Sequence, residues 1–296
     1  MFNLIDFSNY IFWNSLVEYR FDKSNIRFYS DIEYEGEFYK IKSGKGYRHA
    51  CISEYIGSHI FNLLGCEAQD TLLGVCDFQG NQVEVVACKY ITGNGEFLYK
   101  MDDILDAVCN TDYCTNLNAV NYAIYQQNIL NKKELATNFW KMFIIDLYIC
   151  NADRYADNWG VVYDCHKKTV RIAPVFDCDA SLFSGILKDS TKWIDSIERL
   201  QNVDIFLKDT GIKKYENDKK RLNVTDYLLH TDNEDCLEAL ASIAKKIDEQ
   251  RINAIIDEIT LLNDKEKNFY KTVLHLRKTF LIDRVLHENE YCKSFL

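Results

Sequence analysis

The spacing of hydrophobic positions changes along the chain, and each change marks an element. Residues 15–43 alternate and are rich in Tyr, Phe and Ile, as a half-buried strand requires, because its side chains point to opposite faces in turn. Within them "EYEGEFYKIK" (33–42) predicts a hairpin turning near Gly36. In "HACISEYIGSHIFNLL" (49–64) the apolar positions fall at helical spacing and stop before Gly65, a residue suited to a helix C-terminus. Two more β-like runs come next, "DTLLGVCDF" (70–78) and "QVEVVACKYI" (82–91), around "QGN". Residues 1–95 therefore read β-β-α-β-β, a small sheet with one helix.

The texture then changes. Residues 102–130 and 133–150 predict helices, the second, "KELATNFWKMFIIDLYIC", strongly apolar as a buried helix is. Two short β-like runs, "WGVVYD" (159–164) and "TVRIAPVF" (169–176), come after it with "CHKK" turning between them. The chain is mixed from residue 189 and mostly helical from residue 224. A sheet-rich front and a helix-rich back predict an α+β protein of two unequal lobes, 1–95 and 96–296. Pro174 is the single proline, and no Gly- or Ser-rich tether or internal repeat is visible.

Composition narrows the function. With 47% hydrophobic and 27% charged residues the chain is globular. Its net charge of −10 argues against a nucleic-acid binder with a general basic surface, while leaving room for a local cationic nucleotide pocket. The 11 Cys include no C-x-x-C pair and many lie in apolar runs, which reads as reduced thiols in a cytoplasmic protein without a zinc site. "MFNLIDFSNYIFW" lacks a basic n-region and carries Asp6, a poor signal peptide, and no apolar run is long enough to span a membrane.

"CNADRYADNWGVVYD" (150–164) sets two Asn, three Asp and one Arg directly after the apolar run. Taken alone, Asp153 and Asn158 read as solvated loop residues or helix-end caps. Their place in a longer order gives a second reading. Phosphoryl transfer from ATP needs a Lys for the triphosphate, a carboxylate to hold that Lys, and oxygen ligands for the hard cation Mg²⁺. It also needs a carboxylate to orient the acceptor hydroxyl and take its proton. The chain offers Lys42 at the close of a hairpin strand and Glu54 on the next helix. Asp153 and Asn158 lie between the buried helix and a hairpin, and Asp177 ends that hairpin.

These segments resemble the HipA-like serine/threonine kinases. "NADRYADNWG" is similar to their N-x-D-R-H-x-x-N-x-G catalytic loop, and "APVFDCDASL" to their metal segment. "FYKIKSG" resembles the strand ending in the ATP-binding Lys, and "SEYIGSHIFNLLGCEAQDTLLG" the Glu-bearing helix and next strand. The compact layout is nearest to the short CtkA-like members. The resemblance implies a bilobal protein-kinase-like fold with a small β-rich N-lobe and a larger helical C-lobe. It makes Asp153 the catalytic base, Asn158 and Asp177 the Mg²⁺ ligands, and Lys42 and Glu54 the phosphate-binding pair. The hinge falls at Ala87, Cys88, Lys89 and Tyr90, whose backbone is expected to face adenine. ATP and Mg²⁺ are the implied cofactors and a protein Ser or Thr hydroxyl the acceptor. An antitoxin-type, DNA-binding partner protein is also implied, with no direct nucleic-acid or membrane contact by this acidic chain. A cytoplasmic site is expected, and delivery to a host is compatible with it.

Two departures stand out. Tyr155 replaces the family's usual His, whose expected part is to support the loop, and a Tyr hydroxyl could serve similarly. The phosphate-loop region "YRFDKSNIRF" (19–28) has no Gly, which leaves Lys23, Ser24 and Asn25 as substitutes. Slow catalysis, a nucleotide-binding pseudokinase, or a lipid or small-molecule kinase with a D-R-H-x-x-N loop stay open, although no basic membrane face is evident.

Other residues have plainer readings. Lys40 shares a strand face with Lys42, and periodicity does not separate them; the resemblance favours Lys42. Glu54 alone is a helix-surface carboxylate, and Asp177 and Asp179 alone are turn caps. The apolar "APVF" before Asp177 favours a buried strand end, where a carboxylate needs a metal or a donor. Asp146 reads as a structural acceptor for backbone or Arg154, Cys178 as a plain thiol, and the charge run 208–223 as a solvated loop.

Overall fold

The computed structural model describes residues 4–10, 12–19, 26–44, 49–78, 80–109, 117–184 and 223–295. The region of Lys23, Ser24 and Asn25, residues 45–48, and the charge run through residue 222 lie outside the described residues.

Among the described residues, six strands form the N-terminal sheet: β1 (Ile5–Asp6), β2 (Trp13–Tyr19), β3 (Ile26–Tyr34), β4 (Glu37–Ser43), β5 (Thr71–Phe78) and β6 (Asn81–Lys89). Their order is β1-β5-β6-β4-β3-β2, antiparallel except for β1 beside β5. The predicted hairpin is β3–β4. Its two-residue turn puts Glu35 (φ 52°) and Gly36 (φ 79°) in the left-handed region, the geometry that matches strand twist. β1 was not anticipated because two residues carry no measurable period. It seats closely on β5: a Cβ at Gly74 would stand 2.4 Å from the Ile5 carbonyl oxygen and 2.5 Å from the Phe7 ring, so only glycine fits.

Alternation gives this sheet two different faces. Phe7, Ile32, Tyr39, Ile41, Val85 and Ala87 make a small core on one side. On the other, Leu73, Val86 and Cys88 pack with Ile52, Ile56 and Ile60 of α1 (Ala50–Leu63). Lys40 and Lys42 share that second face, where β4 is open to the cleft.

The helical part begins with β7 (Glu96–Lys100), which pairs with the predicted hairpin β8 (Gly160–Asp164) and β9 (Thr169–Ile172). The predicted helix 102–130 is two, α2 (Met101–Cys109) and α3 (Leu117–Gln126), with residues 110–116 outside the described residues. α4 (Lys132–Ile149) is buried on nearly every side and packs on α6 (Glu234–Lys246), α3 and α1. The rest is α5 (Val224–His230), α7 (Glu249–Asp257), α8 (Asp264–Arg277) and α9 (Arg284–Glu288). α1 and α4 belong to one continuous apolar core, so the sheet-bearing helix and the helix that leads to "NADRYADN" are held by the same packing.

Candidate active site

α4 ends at Cys150, whose left-handed backbone (φ 52°) turns the chain into the polar loop. Two buried arginines hold the helix end and the loop in place. Arg277 of α8, fully buried, donates from Nε to the Leu147 and Tyr148 carbonyls at 2.9 and 3.1 Å, satisfying acceptors that a helix C-terminus leaves open. Arg154, within the loop, pairs with buried Asp146 through Nε–Oδ2 at 2.8 Å and Nη2–Oδ1 at 3.2 Å. Its Nη1 donates to the Asn158 carbonyl at 2.8 Å and to the Phe176 carbonyl. One nitrogen therefore ties the loop to the residue before Asp177. Burial works against the Arg154 charge, but Asp146 outweighs it and holds the guanidinium above its ordinary value. The Arg154–Asp146 contact is one of the structural acceptor roles expected of Asp146.

Asp153 is half-buried beside these bonds. Its carbonyl accepts from Asn158 Nδ2 at 2.8 Å and from the Tyr155 amide at 2.9 Å. The Asn158 amide oxygen is thus the side-chain atom left for a cation. Tyr155 is 37% exposed, and among the described residues its hydroxyl makes no hydrogen bond. The loop is supported by Arg154 and its own backbone, not by the Tyr155 hydroxyl.

Across the cleft, Lys42 Nζ lies 2.8 Å from Glu54 Oε2 and 3.0 Å from Asp177 Oδ1. Lys40 instead meets Asp31 at 2.8 Å, so the two lysines that periodicity could not separate have different partners. The second Glu54 oxygen accepts the Cys178 amide at 3.0 Å, so one buried carboxylate joins α1, β4 and the Asp177 segment. Gly57, one turn further along α1, makes this approach close: a Cβ there would stand 2.7 Å from Cys178 Cβ. Asp177 itself is left-handed (φ 58°), a conformation that non-glycine residues adopt rarely.

Burial lowers the Lys42 pKa, but Glu54, with Asp177 and Asp179, more than reverses this and holds it well above the usual value. With two carboxylate oxygens within 3.0 Å the ammonium is charged, and it is the Glu54 carboxyl that burial pushes up. Oxygens of Glu54, Asp177 and Asp179 lie within 4.8 Å of one another. Three carboxylates against one ammonium leave an excess of negative charge in a largely dry site. Asp177, Asp179 and the Asn158 amide oxygen are the hard donors that Mg²⁺ takes. Glu54 is occupied by Lys42 and the Cys178 amide. The residues present therefore fit the metal.

Two of the four residues expected at the hinge are paired on both sides within the sheet. Ala87 and Cys88 sit inside β6 between β4 and β5, with register partners Ile41 and Lys40 on one side and Leu72 and Thr71 on the other. The Lys89 amide donates to the Asp70 carbonyl, the Tyr90 amide to the Phe38 carbonyl, and the Lys89 carbonyl accepts from Gln69. A central strand spends its backbone groups on both neighbours, so the linker proper begins at the Tyr90 carbonyl. A cavity of about 1000 Å³ opens between the α1–β5 turn, the linker and α4, with Gln69, Asn138, Lys141 and Arg171 among its lining. None of Lys42, Glu54, Asp153, Asn158 or Asp177 borders it.

Sequence reasoning missed Arg277, Gly57 and the third carboxylate, Asp179, as parts of this arrangement. Asp179 had a local signal, its place in "FDCDAS". Arg277 had none, because its target is 130 residues away.

The fold is that of a bilobal protein kinase. The chain is 30% identical to the crystal structure of the Helicobacter pylori proinflammatory kinase CtkA, with a TM-score of 0.83 over 99% of each chain. It is 36% identical over 264 residues to the serine/threonine-protein kinase CtkA of Helicobacter pylori, covering 84% of this chain and 79% of that one. No family model matches it. The chain belongs to the CtkA family of serine/threonine-protein kinases. A Shewanella oneidensis HipA, solved with HipB and operator DNA, shares the fold at a TM-score of 0.55 and 15% identity over 83% of this chain and 60% of that chain.

Proposed function

We propose that this serine/threonine kinase transfers the γ-phosphate of ATP to a protein hydroxyl in the cleft between Lys42 and Asp153. Lys42 binds the α- and β-phosphates and Glu54 holds it in place. Asp153 orients the acceptor hydroxyl and takes its proton. Asn158 and Asp177, with Asp179 beside them, hold Mg²⁺, which when bound neutralises phosphate charge. The linker from Tyr90 onward faces adenine. Residues 1–95 form the nucleotide-binding lobe and 96–296 the catalytic lobe. The observation that carries this reading is the single contact set in which Lys42 meets both Glu54 and Asp177.

Among the described residues no helix is long and apolar enough to cross a membrane. The HipA likeness carries the fold alone, so pairing with an antitoxin-type protein does not enter the proposal.

The test is Asp153→Asn, which is nearly isosteric. Phosphate incorporation into Ser or Thr of lysate proteins, read with γ-labelled ATP and mass spectrometry, is expected to fall at least about a hundredfold, within the range a general base contributes. ATP binding and the melting temperature are expected to hold. Wild-type transfer by the variant would remove Asp153 from the mechanism, and a wild-type chain that binds ATP without transferring would make it a pseudokinase.

A further inference from the structure

α8 reaches both sides of the cleft. Its last residue, Arg277, holds the Leu147 and Tyr148 carbonyls just before the catalytic loop. Its first turn carries Glu266, which is buried. Glu266 Oε2 accepts the Asn263 amide and the Asn263 side chain accepts the Glu266 amide, both at 3.0 Å. This capping box fixes the carboxylate at the start of the helix. The other oxygen, Oε1, lies 3.4 Å from Nε2 of His49, and the His49 ring meets the Tyr270 ring edge-on one turn further along α8. His49 is also buried, and its left-handed backbone (φ 76°) leads directly into α1. Residues other than glycine adopt that conformation rarely, so the surrounding packing holds the ring where it is.

Glu54 comes five positions after His49, about 7.5 Å along the helix. The far end of α1 has its own tie, the Asn62 side chain on the Ala68 backbone at 2.8 and 3.3 Å. The near end, which carries Glu54, is joined to the helical lobe through His49. A ring nitrogen facing a buried carboxylate presents its proton to it, and that partner fixes the ring's orientation. We propose that His49 is a positioning residue for phosphoryl transfer: through Glu266 it seats the start of α1 on α8, so that Glu54 meets Lys42 at a set distance from the catalytic loop. The 14 residues of α8 span about 21 Å, with the helix of Glu54 held at one end and the helix end that leads to Asp153 at the other. This rests on the reading of Lys42 and Glu54 as the phosphate-binding pair.

The experiment is the ATP affinity of the full chain, read by competition with a fluorescent ATP analogue, in wild type, His49→Leu, His49→Gln, Glu54→Gln and the double variant of His49→Leu with Glu54→Gln. Leu and Gln bear the same left-handed strain, so the difference between them reads the donor. His49→Leu is expected to weaken ATP roughly two- to tenfold, the range of one ordinary hydrogen bond, and His49→Gln to restore most of it. In the Glu54→Gln background His49→Leu is expected to cost nothing further, because the carboxylate it positions is gone. Should His49→Leu not fold, His49→Asn takes its place, since Asn tolerates the left-handed region and its amide stops short of Glu266. An equal loss in both backgrounds, or no recovery in His49→Gln, makes His49 a packing residue and overturns the proposal. Wild-type ATP affinity in Glu54→Gln sinks the reading of the Lys42–Glu54 pair and this inference with it. Loss in Glu54→Gln with none in His49→Leu sinks the inference alone.

Discussion

On the C-lobe side of the cleft, buried Arg154 holds the carbonyls of Asn158 and of Phe176 beside Asp177, and Asn158 holds the Asp153 carbonyl; on the N-lobe side, Lys40 and Lys42 are positioned by carboxylates on neighbouring elements. Arg154 and Asp146 are both under 5% exposed, whereas Lys40 is half in solvent. A buried pair that loses one member leaves an uncompensated charge in low dielectric, at a cost of about 3–5 kcal/mol. In the Lys40–Asp31 pair the lysine end is open to solvent, which screens the attraction and brings it toward the about 0–1 kcal/mol of surface pairs. The Asp153 loop is tied down by buried groups, whereas the Lys40 side chain on β4 is free to move at its solvent end.

The largest expected effect comes from breaking the tighter side. Arg154→Met strands Asp146 and frees the Asn158 and Phe176 carbonyls, and should cost about 3–5 kcal/mol in urea unfolding. Adding Asp146→Leu removes the stranded charge and should recover part of that stability without recovering phosphoryl transfer, because the tie between the two segments is still missing. A loss below about 1 kcal/mol for Arg154→Met would mean that the loop is held by something else.

Lys42 comes next, because it belongs to both sides at once. Lys42→Ala should weaken ATP at least about tenfold, since it removes a charge from phosphates in a site that excludes much of the water. The pH dependence has a definite sign. The folded-state pKa of Lys42 is raised, so its contribution is complete below the unfolded value near 10.4 and fades only as pH climbs through the higher folded value. ATP affinity measured in steps up to about pH 10 should therefore show no decline from loss of this charge. A fall in affinity between pH 8 and 9, absent in Lys42→Ala, would show that Glu54 and Asp177 do not hold the ammonium as the 2.8 and 3.0 Å contacts indicate.

The same contrast explains what the sequence made legible. The helix of Glu54, the hairpin of Lys42 and the loop of Asp153 and Asn158 are local, and each has a period or a turn residue to mark it. The β7 strand was not foreseen because five residues between a turn and a helix show no clear alternation, and its partner β8 lies 60 residues on. Lys40 and Lys42 have identical local patterns; only the tertiary partners, Asp31 for one and Glu54 with Asp177 for the other, tell them apart. That β4 and β5 both draw on the backbone of Ala87 and Cys88 was not legible, because a strand's hydrophobic pattern does not show which of its backbone groups a third strand consumes.

Gly57 tests how closely the two sides must meet. Gly57→Ala would bring a methyl group within 2.7 Å of Cys178 Cβ, so α1 or the Asp177 segment must shift. Overpacking of this kind costs about 1–3 kcal/mol. The informative readout is kcat, expected to fall severalfold as Asp177 moves. Cys178→Gly in the same chain removes the opposing Cβ and should return kcat toward its starting value. If Gly57→Ala lowers the melting temperature with kcat unchanged, the glycine serves packing alone.

The smallest effect is expected at Tyr155, although the family pattern has His there. The loop is closed by Asn158 Nδ2 on the Asp153 carbonyl, by the Tyr155 and Asn158 amides, and by Arg154 beneath. None of these bonds uses the Tyr155 side chain, which points to solvent over more than a third of its surface. Tyr155→His should therefore shift stability by no more than about 0.5 kcal/mol, as exposed substitutions do. Transfer should stay within about threefold of wild type, a change of roughly 0.7 kcal/mol in the barrier. A gain above tenfold would show that the family's His supplies support that Arg154 and the backbone do not, and the loop would then belong with the loosely held side of the cleft.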